Sequence, residues 1–463
     1  MFDRQSSFST YVDWLEELRQ QGGAWKFVTK KREFPLNTFY ANAKKPRSYE
    51  EIFSSVLTSP KVTEAIEEEA VRRGLPVLKI QEDAKSILKI MAHNWGLSST
   101  RTFGYVLVKV LERIFDAIYV NVEQLKRIRE LCRSESIVFM PSHRTYLDFL
   151  LLLSVFCFDY EVPLPAIAAG MDFANSWFMS EILRRCGAFY IKRSIGQDRL
   201  YWAILSEYVQ THIIHSDRPV EFFIEGTRSR VGKSLYPKYG LLQMVLEPFL
   251  KGKVYDIVVI PVTTNYDKLL EELPYSYELL GFPKLKESTT ALIKAHQFLN
   301  ERYGRCFMTF GEPISVRDYF GMSLNRSSIV NQPDSKCVLS FTQRNIIKRF
   351  AHVVIKRLDQ NAIITVWSLA CAAMIQPDSK CVLSFTQRNI IKRFAHVVIK
   401  RLDQNAIITV WSLACAAMIQ RITDNDRTAF EYVQVQHDVN KLLRLLKTLQ
   451  VTVHIVHSVE EDL

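Results

Sequence analysis

The feature that most constrains the fold is a change in hydrophobic period at about residue 134. Beyond it, short apolar runs rich in Val, Ile and Phe alternate with stretches of helical spacing. Such runs are typical of strands buried on both faces, and parallel strands need crossover helices between them. The predicted strands are Ile137–Pro141, Pro165–Ala169, Ala188–Lys192, Val220–Ile224, Ile257–Val262 and Phe307–Phe310, with helices at Ala174–Arg185 and Leu200–His212. The sequence therefore predicts an α/β fold with a mostly parallel twisted sheet flanked by helices.

Helical periodicity dominates on either side of this segment. Apolar residues recur at three- and four-residue intervals in Val62–Arg73, Ile80–Trp95 and Val106–Ile128, and again beyond Ser323. With 463 residues the chain has ample material for more than one buried core. We expect an N-terminal helical region at 1–133, an α/β domain at 134–322 and a C-terminal helical region at 323–463.

The C-terminal region contains a perfect tandem duplication. Gln332–Ile375 recurs without a change as Gln376–Ile419, an offset of 44 residues. Structural repeats diverge in sequence, and at least three are usually needed to bury a shared core. We interpret the doublet as a recent duplication or an error of gene assembly rather than as a functional repeat.

Part of the positive net charge of the chain comes from the duplicated segment being counted twice. Each copy holds six Lys or Arg against two Asp, so a single copy would lower the net charge from +11 to +7. The remaining balance favours an anionic partner such as a phosphorylated substrate, coenzyme A or anionic lipid. Nucleic acid is not expected, because the basic residues do not follow any of the nucleic-acid-binding patterns.

Cysteine spacing and hydropathy exclude further classes. The eight cysteines are scattered without a CxxC pair. This spacing predicts neither a zinc site nor a disulfide framework, and we expect reduced thiols inside a cell.

No apolar run approaches the ~20 residues that a bilayer span requires, so any membrane contact is expected to be peripheral. Met1–Gln20 is interpreted as an amphipathic helix and not a signal peptide. An apolar stripe flanked by basic residues fits a core-packing helix better than an interfacial one; it consists of Ile346, Ile347, Phe350, Val353, Val354 and Leu358.

The first candidate for chemistry follows the strand Ile137–Pro141. There His143 precedes Asp148 by five positions, ahead of an apolar helix. If His143 lies in the turn and Thr145 caps the helix, the Asp148 carboxylate falls in the first turn and can fold back toward the imidazole. The alternative is that Thr145 and Asp148 form only a helix cap.

A second pair offers a control for this spacing. His212 and Asp217 are also five positions apart, but His212 ends a helical stretch and no strand precedes it. We interpret that second pair as structural.

Two later strands end in cations. One strand ends at Lys192, with Arg193 next to it, and the other is followed by a Gly226 turn that carries Arg228 and Arg230. Parallel α/β sheets bind ligands at their strand ends, and guanidinium groups bind phosphate bidentately. Either segment alone could be an ordinary solvated basic turn. The glycines of the Gly226 turn do not have P-loop spacing, and the chain has no G-x-S-x-G nucleophile elbow.

Taken together and in order, these segments resemble the four motifs of the glycerolipid acyltransferase family. The motifs are H-x4-D at His143–Asp148, GAFYIKRS at Gly187–Ser194, FIEGTRSR at Phe223–Arg230 and IVVIPV at Ile257–Val262. Within the family the chain most resembles the members that acylate dihydroxyacetone phosphate. Further segments carry that resemblance: AIAAGMDF at Ala166–Phe173, LYWAILSEYV at Leu200–Val209, PVEFFIEGTRSR at Pro219–Arg230 and YELLGFPKLKESTTALIKA at Tyr277–Ala295. It covers roughly residues 106–310.

The resemblance implies an acyl-CoA-dependent O-acyltransferase that converts dihydroxyacetone phosphate to its 1-acyl form, the first step of ether glycerolipid synthesis. Glycerol 3-phosphate is the alternative acceptor, and a catalytically inactive membrane-surface scaffold is an alternative of another class. His143 would be the general base and Asp148 would fix its tautomer. Amides at the start of the following helix would stabilise the oxyanion. The remaining implied roles are phosphate binding by Arg193, Lys192, Arg228 and Arg230, acceptor positioning by Glu225, Gly226, Ser194 and Ser229, and Pro261 on the acyl-CoA side.

The same resemblance implies the partners and the location. Acyl-CoA is a co-substrate, and we expect no resident cofactor and no metal. We expect peripheral contact with a membrane and a possible partner enzyme of ether lipid synthesis. Family members of this kind reach peroxisomes through a C-terminal signal resembling SKL, whereas this sequence ends Glu460-Glu461-Asp462-Leu463. All of these expectations require that the His143 imidazole and the guanidinium groups of Arg193 and Arg228 share one cleft.

Overall fold

Nine strands form one sheet with helices on both faces in the computed structural model, among the residues that it describes. Those residues are 11–29, 47–150, 160, 162–171, 177–193, 196, 198–230, 232–279, 301–333 and 337–363. The strands are β1 Tyr11–Asp13, β2 Ala117–Asn121, β3 Ser136–Pro141, β4 Ala166–Gly170, β5 Ala188–Ile191, β6 Val220–Glu221, β7 Ile257–Tyr266, β8 Arg305–Phe310 and β9 Ile314–Ser315. The helices are α1 Trp14–Gln20, α2 Trp25–Thr29, α3 Tyr49–Leu57, α4 Pro60–Arg73, α5 Val77–Met91, α6 Leu97–Ile114, α7 Val122–Leu131, α8 Tyr146–Leu150, α9 Trp177–Arg185, α10 Arg199–His215, α11 Gly240–Leu250, α12 Glu272–Leu279, α13 Val316–Phe320, α14 Ser327–Val330 and α15 Phe341–Gln360.

The centre of the sheet is a block of five parallel strands in the order β7-β3-β6-β4-β5. On the other side of β7 lies β8, which runs antiparallel to it, followed by β2 and β1. The prediction of a mostly parallel α/β sheet is therefore confirmed. Because the five central strands share one direction, the segments that follow β3, β5 and β6 all begin at the same edge of the sheet.

Strand residues alternate between two apolar cores, one on each face. In β3, Val138 and Met140 join the core beneath α4, α5, α10 and α11, whereas Ile137 and Phe139 join the core on the opposite face. This alternation follows from the pleat of a strand. Burial on both faces explains why the central strands are continuous apolar runs in the sequence.

Two predictions for the N-terminal region were wrong. Met1–Gln20 is not a single amphipathic helix, because Tyr11–Asp13 form β1 and α1 begins only at Trp14. Val106–Ile128 is not a single helix, because α6 ends at Ile114 and β2 follows at once, before α7. Ile118 and Val120 of β2 are fully buried, and the strand pairs with β8. A short strand between two amphipathic helices interrupts the helical period too briefly to be seen in it. With β1 and β2, residues before 134 contribute to the same sheet as the predicted α/β domain.

The described part of the first copy of the duplicated segment contains α15, which packs into the core. Ser340 caps this helix in a reciprocal capping box with Gln343. The stripe residues Ile347, Phe350 and Val354 are fully buried against the sheet, which confirms the core-packing interpretation. The second copy, 376–419, lies outside the described residues.

The length and hydropathy of the helices bear on membrane insertion. Within the described part of the chain, no helix combines the length and the hydropathy needed to cross a bilayer.

Candidate active site

His143 lies directly after β3, at the carboxyl edge of the parallel block. The turn is fixed on one side by Ser142, whose amide donates to the Val262 carbonyl and whose hydroxyl accepts from the Thr264 amide. The imidazole stacks on the Phe223 ring, with ring centroids 3.9 Å apart and planes inclined by 18°. The side chain keeps 14% of its surface exposed, so the ring is oriented by packing while one edge remains open.

Asp148 lies beside this ring and is almost fully buried. Its Oδ2 is 3.7 Å from His143 Nδ1, an ion-pair distance rather than a hydrogen bond. Oδ2 also accepts from the Thr145 amide at 2.7 Å, and Oδ1 accepts from the Tyr266 hydroxyl at 2.6 Å. The Thr145 hydroxyl in turn accepts from the Leu147 amide at 3.3 Å. Thr145 and Asp148 thus cap α8 together, and the same Asp148 carboxylate lies next to His143, so the pair is more than a helix cap.

The environment of His143 favours its neutral form. Burial lowers the pKa of the imidazole, Asp148 opposes that shift, and Arg228 adds to it. A histidine with a lowered pKa is unprotonated at neutral pH and can accept a proton.

Several of the amides expected to stabilise an oxyanion already have acceptors within the protein. The first amides of α8 and of the turn before it are already used: those of Arg144 and Thr145 donate to Asp148, and that of Tyr146 donates to Glu271 at 2.7 Å. The His143 amide donates to Glu225 at 3.0 Å. These four amides thus donate to three carboxylates, Asp148, Glu225 and Glu271, of which the sequence did not reveal Glu271. Stabilisation of an oxyanion by amides at the start of α8 stays a prediction.

Glu225 organises the turn from inside the protein. It is fully buried and accepts from the His143 amide, the Leu235 amide and the guanidinium of Arg144, which approaches at 3.0 Å. Its predicted role was to position the acceptor, and the contacts that it makes here are with the turn that carries His143. Arg144 was not predicted as a site residue, although it is adjacent to His143 in the sequence.

Arg228 reaches the same turn from the β6 side. Its guanidinium lies 3.6 Å from the centre of the Tyr146 ring and donates to Glu271 at 3.3 Å and to the Tyr275 hydroxyl at 3.2 Å. Burial raises the pKa of Glu271, against the opposing effect of the Tyr146 amide. Glu271 and Tyr275 were missed in the sequence, where no motif marks them.

The other residues of the Gly226 turn contact protein groups around Arg228. Gly226 has a φ of +69°, which favours glycine, and an added Cβ would lie 2.8 Å from the Lys238 side chain. The Ser229 amide donates to the His143 carbonyl at 3.0 Å, and its buried hydroxyl donates to the Lys233 carbonyl. Arg230 pairs with Glu278 at 2.8 Å. This turn is therefore bonded directly to the His143 turn.

The cations after β5 lie at the same edge but further along it. Lys192 pairs with Asp198 at 3.0 Å and lies over the Tyr201 ring, and Arg193 is exposed. Between β5 and β3 lie β6 and β4, so three strand spacings amount to roughly 14 Å. Ser194 lies outside the described residues. The structure thus brings Arg228 to His143, while a shared cleft with Arg193 remains a prediction.

Pro261 occupies the strand next to β3. It is buried in register with Met140, and its carbonyl accepts from the Gly311 amide at 2.8 Å. Its predicted place on the acyl-CoA side remains a prediction.

Comparison with known proteins gives two family matches. Residues 119–265 match the family described as Acyltransferase, and residues 275–385 match the Glycerol-3-phosphate acyltransferase C-terminal region. Together these matches extend from β2 into the duplicated segment.

Individual relatives divide into two groups. The chain is 41% identical over 318 residues to a dihydroxyacetone phosphate acyltransferase of Mus musculus, covering 69% of this chain and 46% of the relative. Its human counterpart is 39% identical over 329 residues, covering 70% and 48%. A glycerol-3-phosphate acyltransferase of Pasteurella multocida is 35% identical over 271 residues, covering 58% and 33%. The alignments span less than half of the length of these relatives.

Proposed function

Because the chain belongs to the glycerolipid acyltransferase family, we propose that it transfers a fatty acyl group from coenzyme A to the hydroxyl of dihydroxyacetone phosphate. The observation that carries this proposal is the cluster at the carboxyl end of β3. There a neutral imidazole lies 3.7 Å from a buried carboxylate, and the turn that carries Arg228 is bonded to the His143 carbonyl. Acyl transfer to a phosphorylated alcohol requires a general base, a group that orients this base and a guanidinium that binds the phosphate.

His143 acts as general base in this mechanism. With Nδ1 protonated toward Asp148, Nε2 removes the proton of the acceptor hydroxyl as its oxygen attacks the thioester carbonyl. The tetrahedral intermediate collapses with cleavage of the C–S bond, and the imidazolium returns the proton to the coenzyme A thiolate. Asp148 stabilises the imidazolium between these steps. Positioned base catalysis of this kind is worth roughly 10²–10⁴ in rate.

Arg228 is the first phosphate ligand in this proposal, with Arg230 beside it. The acceptor phosphate competes with Glu271 for the Arg228 guanidinium, which Glu271 contacts at 3.3 Å. The raised pKa of Glu271, caused by its burial, lowers the cost of protonating this carboxyl when the guanidinium turns to phosphate. Arg193 and Lys192 are the more distant candidates for the same role, and Pro261 is proposed to border the acyl-CoA.

The choice of dihydroxyacetone phosphate rests on the relatives. The dihydroxyacetone phosphate acyltransferases share 39% to 43% identity with this chain, and the glycerol-3-phosphate acyltransferases 33% to 36%. The second acceptor therefore remains the competing candidate.

The test is an assay of the purified full chain with a long-chain acyl-CoA and each acceptor in turn. We expect faster acylation of dihydroxyacetone phosphate and a loss of about 10²-fold or more in His143→Ala, because the general base is removed. Faster acylation of glycerol 3-phosphate would overturn the acceptor. Equal transfer by wild type and His143→Ala would overturn the activity and favour an inactive scaffold.

On the family resemblance alone, we also propose peripheral association with the peroxisomal membrane, in ether lipid synthesis. The proposal predicts that the protein sediments with peroxisomal membranes and is released by high salt or carbonate. Release from intact organelles into the cytosolic fraction at low salt would contradict it.

A further inference from the structure

The carboxyl-terminal turn of α15 attaches to the strand next to His143. The Thr263 hydroxyl donates to the Leu358 carbonyl at 2.9 Å, and the Ile363 amide donates to Asn265 at 2.8 Å. Between these two residues of β7 lies Thr264, whose amide donates to the Ser142 hydroxyl at 3.1 Å. The end of α15 therefore sits on the same strand segment that holds the turn preceding His143.

From this turn a chain of hydrogen bonds runs to His143. Ser234 donates to Asp359 Oδ1 at 2.6 Å and accepts from the Arg144 guanidinium at 3.0 Å. Arg144 donates to Glu225 at 3.0 Å, and Glu225 accepts from the His143 amide at 3.0 Å. Each link joins residues that are distant in sequence, so the chain of bonds forms only in the folded protein.

The direction of these bonds is fixed by chemistry. An ionised carboxylate only accepts and a guanidinium only donates, whereas a hydroxyl has one proton and two lone pairs. Asp359 accepts the hydrogen bond that the Ser234 hydroxyl donates, and the serine oxygen must then present its lone pairs to Arg144. Without Asp359 the Ser234 hydroxyl is free to rotate, and the guanidinium loses an oriented acceptor.

We infer that Asp359 is a positioning residue of the active site, so that the first copy of the duplicated segment completes the site and the second copy does not. This inference rests on the proposed acyl transfer for its kinetic effect. It does not follow from the family matches, and it gives the two identical copies different roles. Asp359 touches neither the reacting atoms nor His143, and acts through Ser234, Arg144 and Glu225.

The duplication supplies a matched control. Asp403 is the counterpart of Asp359 in the second copy, with the same neighbours for the length of the repeat, and it lies outside the described residues. Asp359→Asn and Asp403→Asn are therefore the same chemical change in the same local sequence, with the same net charge. The two variants differ only in which copy of the repeat carries the change.

We expect Asp359→Asn to lower kcat by about three- to tenfold, the equivalent of one oriented hydrogen bond. Asp403→Asn should leave kcat within about twofold of wild type. Asp359→Glu, which keeps an anionic acceptor, should recover part of the loss. Thermal unfolding midpoints measured on all three variants separate positioning from stability, because a purely structural role would lower the midpoint and leave kcat per folded molecule unchanged.

A double-mutant cycle tests whether Asp359 acts through Ser234. Ser234→Ala and Asp359→Asn should be non-additive in kcat and in unfolding free energy, whereas Ser234→Ala and Asp403→Asn should add. Equal losses in Asp359→Asn and Asp403→Asn, or additivity in the first cycle, would overturn the inference.

The cycle also separates this inference from the proposed function. If the wild-type chain transfers no acyl group, the proposed function fails. The double-mutant cycles can still be measured in unfolding free energy, and coupling of Ser234 to Asp359 or to Asp403 then shows which copy docks at the site. Removal of residues 376–419 gives a further check, because deleting either copy leaves the same chain. That chain should keep wild-type kcat, and loss of activity would contradict the assignment of the site to one copy.

Discussion

Two histidines in this protein precede an aspartate by five positions, and the structure gives them different surroundings. His143 follows β3, and its ring lies 3.7 Å from the carboxylate of Asp148. His212 lies within α10 with both ring nitrogens fully buried and without a hydrogen-bond partner among the described residues. Its ring is near those of His93 and Tyr208. Asp217 is instead held by Arg47 at 2.6 Å.

The difference shows that the spacing has no chemical meaning without its backbone context. Residues five apart on a continuous helix are separated by about 140° around the axis. The helix that carries His212 ends before Asp217, and the two side chains are not in ion-pair contact, because Asp217 pairs with Arg47 instead. At His143 the chain turns from strand to helix, and Asp148 in the first turn of α8 points back toward the imidazole. A strand before the histidine and a helix after it are the features that distinguish the two pairs.

The largest effects are expected when each of the two aspartates, Asp148 and Asp217, is replaced by asparagine. Asp148→Asn should lower kcat by about 10²-fold or more, because the imidazolium loses its stabilising charge and the base its fixed orientation. Asp217→Asn should leave kcat per folded molecule unchanged and lower the free energy of unfolding by about 3 kcal/mol, because it leaves the Arg47 guanidinium without its anion. Steady-state kinetics on both variants measure the expected change in kcat, and urea unfolding measures the expected change in stability.

The outcome that would break the comparison is a kinetic loss in Asp217→Asn as large as that in Asp148→Asn. Asp217→Glu serves as control, since it keeps the charge opposite Arg47.

Much of the sheet was predictable because its signal is local. The six predicted strands correspond to β3 through β8, since each is a short apolar run bounded by turn residues and buried on both faces. β2 was missed because its five residues lie between two amphipathic helices whose periods run nearly into each other. The antiparallel direction of β8 was also not predicted, because strand direction depends on pairing between distant segments and not on composition.

The candidate site divides in the same way. His143, Asp148 and Arg228 lie in motifs and were predicted. Glu271 was not, because its contact with Arg228 joins residues 43 positions apart and no local pattern records such a pair. Arg193 shows the opposite case: its motif is evident in the sequence, but the distance of β5 from β3 depends on strand order, which the sequence did not reveal.

A second, smaller effect should distinguish the two histidines in their response to acid. Burial lowers the pKa of His212 to about 4, although Asp217 opposes the shift. Because the unfolded chain binds this proton at about pH 6.5 and the folded chain does not, stability is complete above pH 6.5 and falls as the pH is lowered toward 4. Between pH 7.5 and 5 the loss amounts to about 2 kcal/mol for His212 alone. Burial also lowers the pKa of His93, which adds a loss of the same sign.

Urea unfolding of wild type and His212→Leu at the two pH values measures this contribution. The leucine variant removes an unpartnered polar group and should lose about 2 kcal/mol less on acidification than wild type. An unchanged pH dependence in His212→Leu would show that His212 is not kept neutral by the fold.

The smallest effect is a displacement of the pH profile of catalysis. Burial lowers the pKa of His143 and the Asp148 carboxylate opposes that shift, so the acid limb of kcat/KM should lie below pH 6.5. Removing the Asp148 charge leaves the lowering by burial unopposed, so Asp148→Asn should move the limb to still lower pH while the rate falls. His212→Leu should leave the limb where it is, because the neutral His212 lies outside the site. A limb that moves upward in Asp148→Asn, or that moves in His212→Leu, would mean that the titrating group is not His143 and that the two pairs differ less than their surroundings indicate.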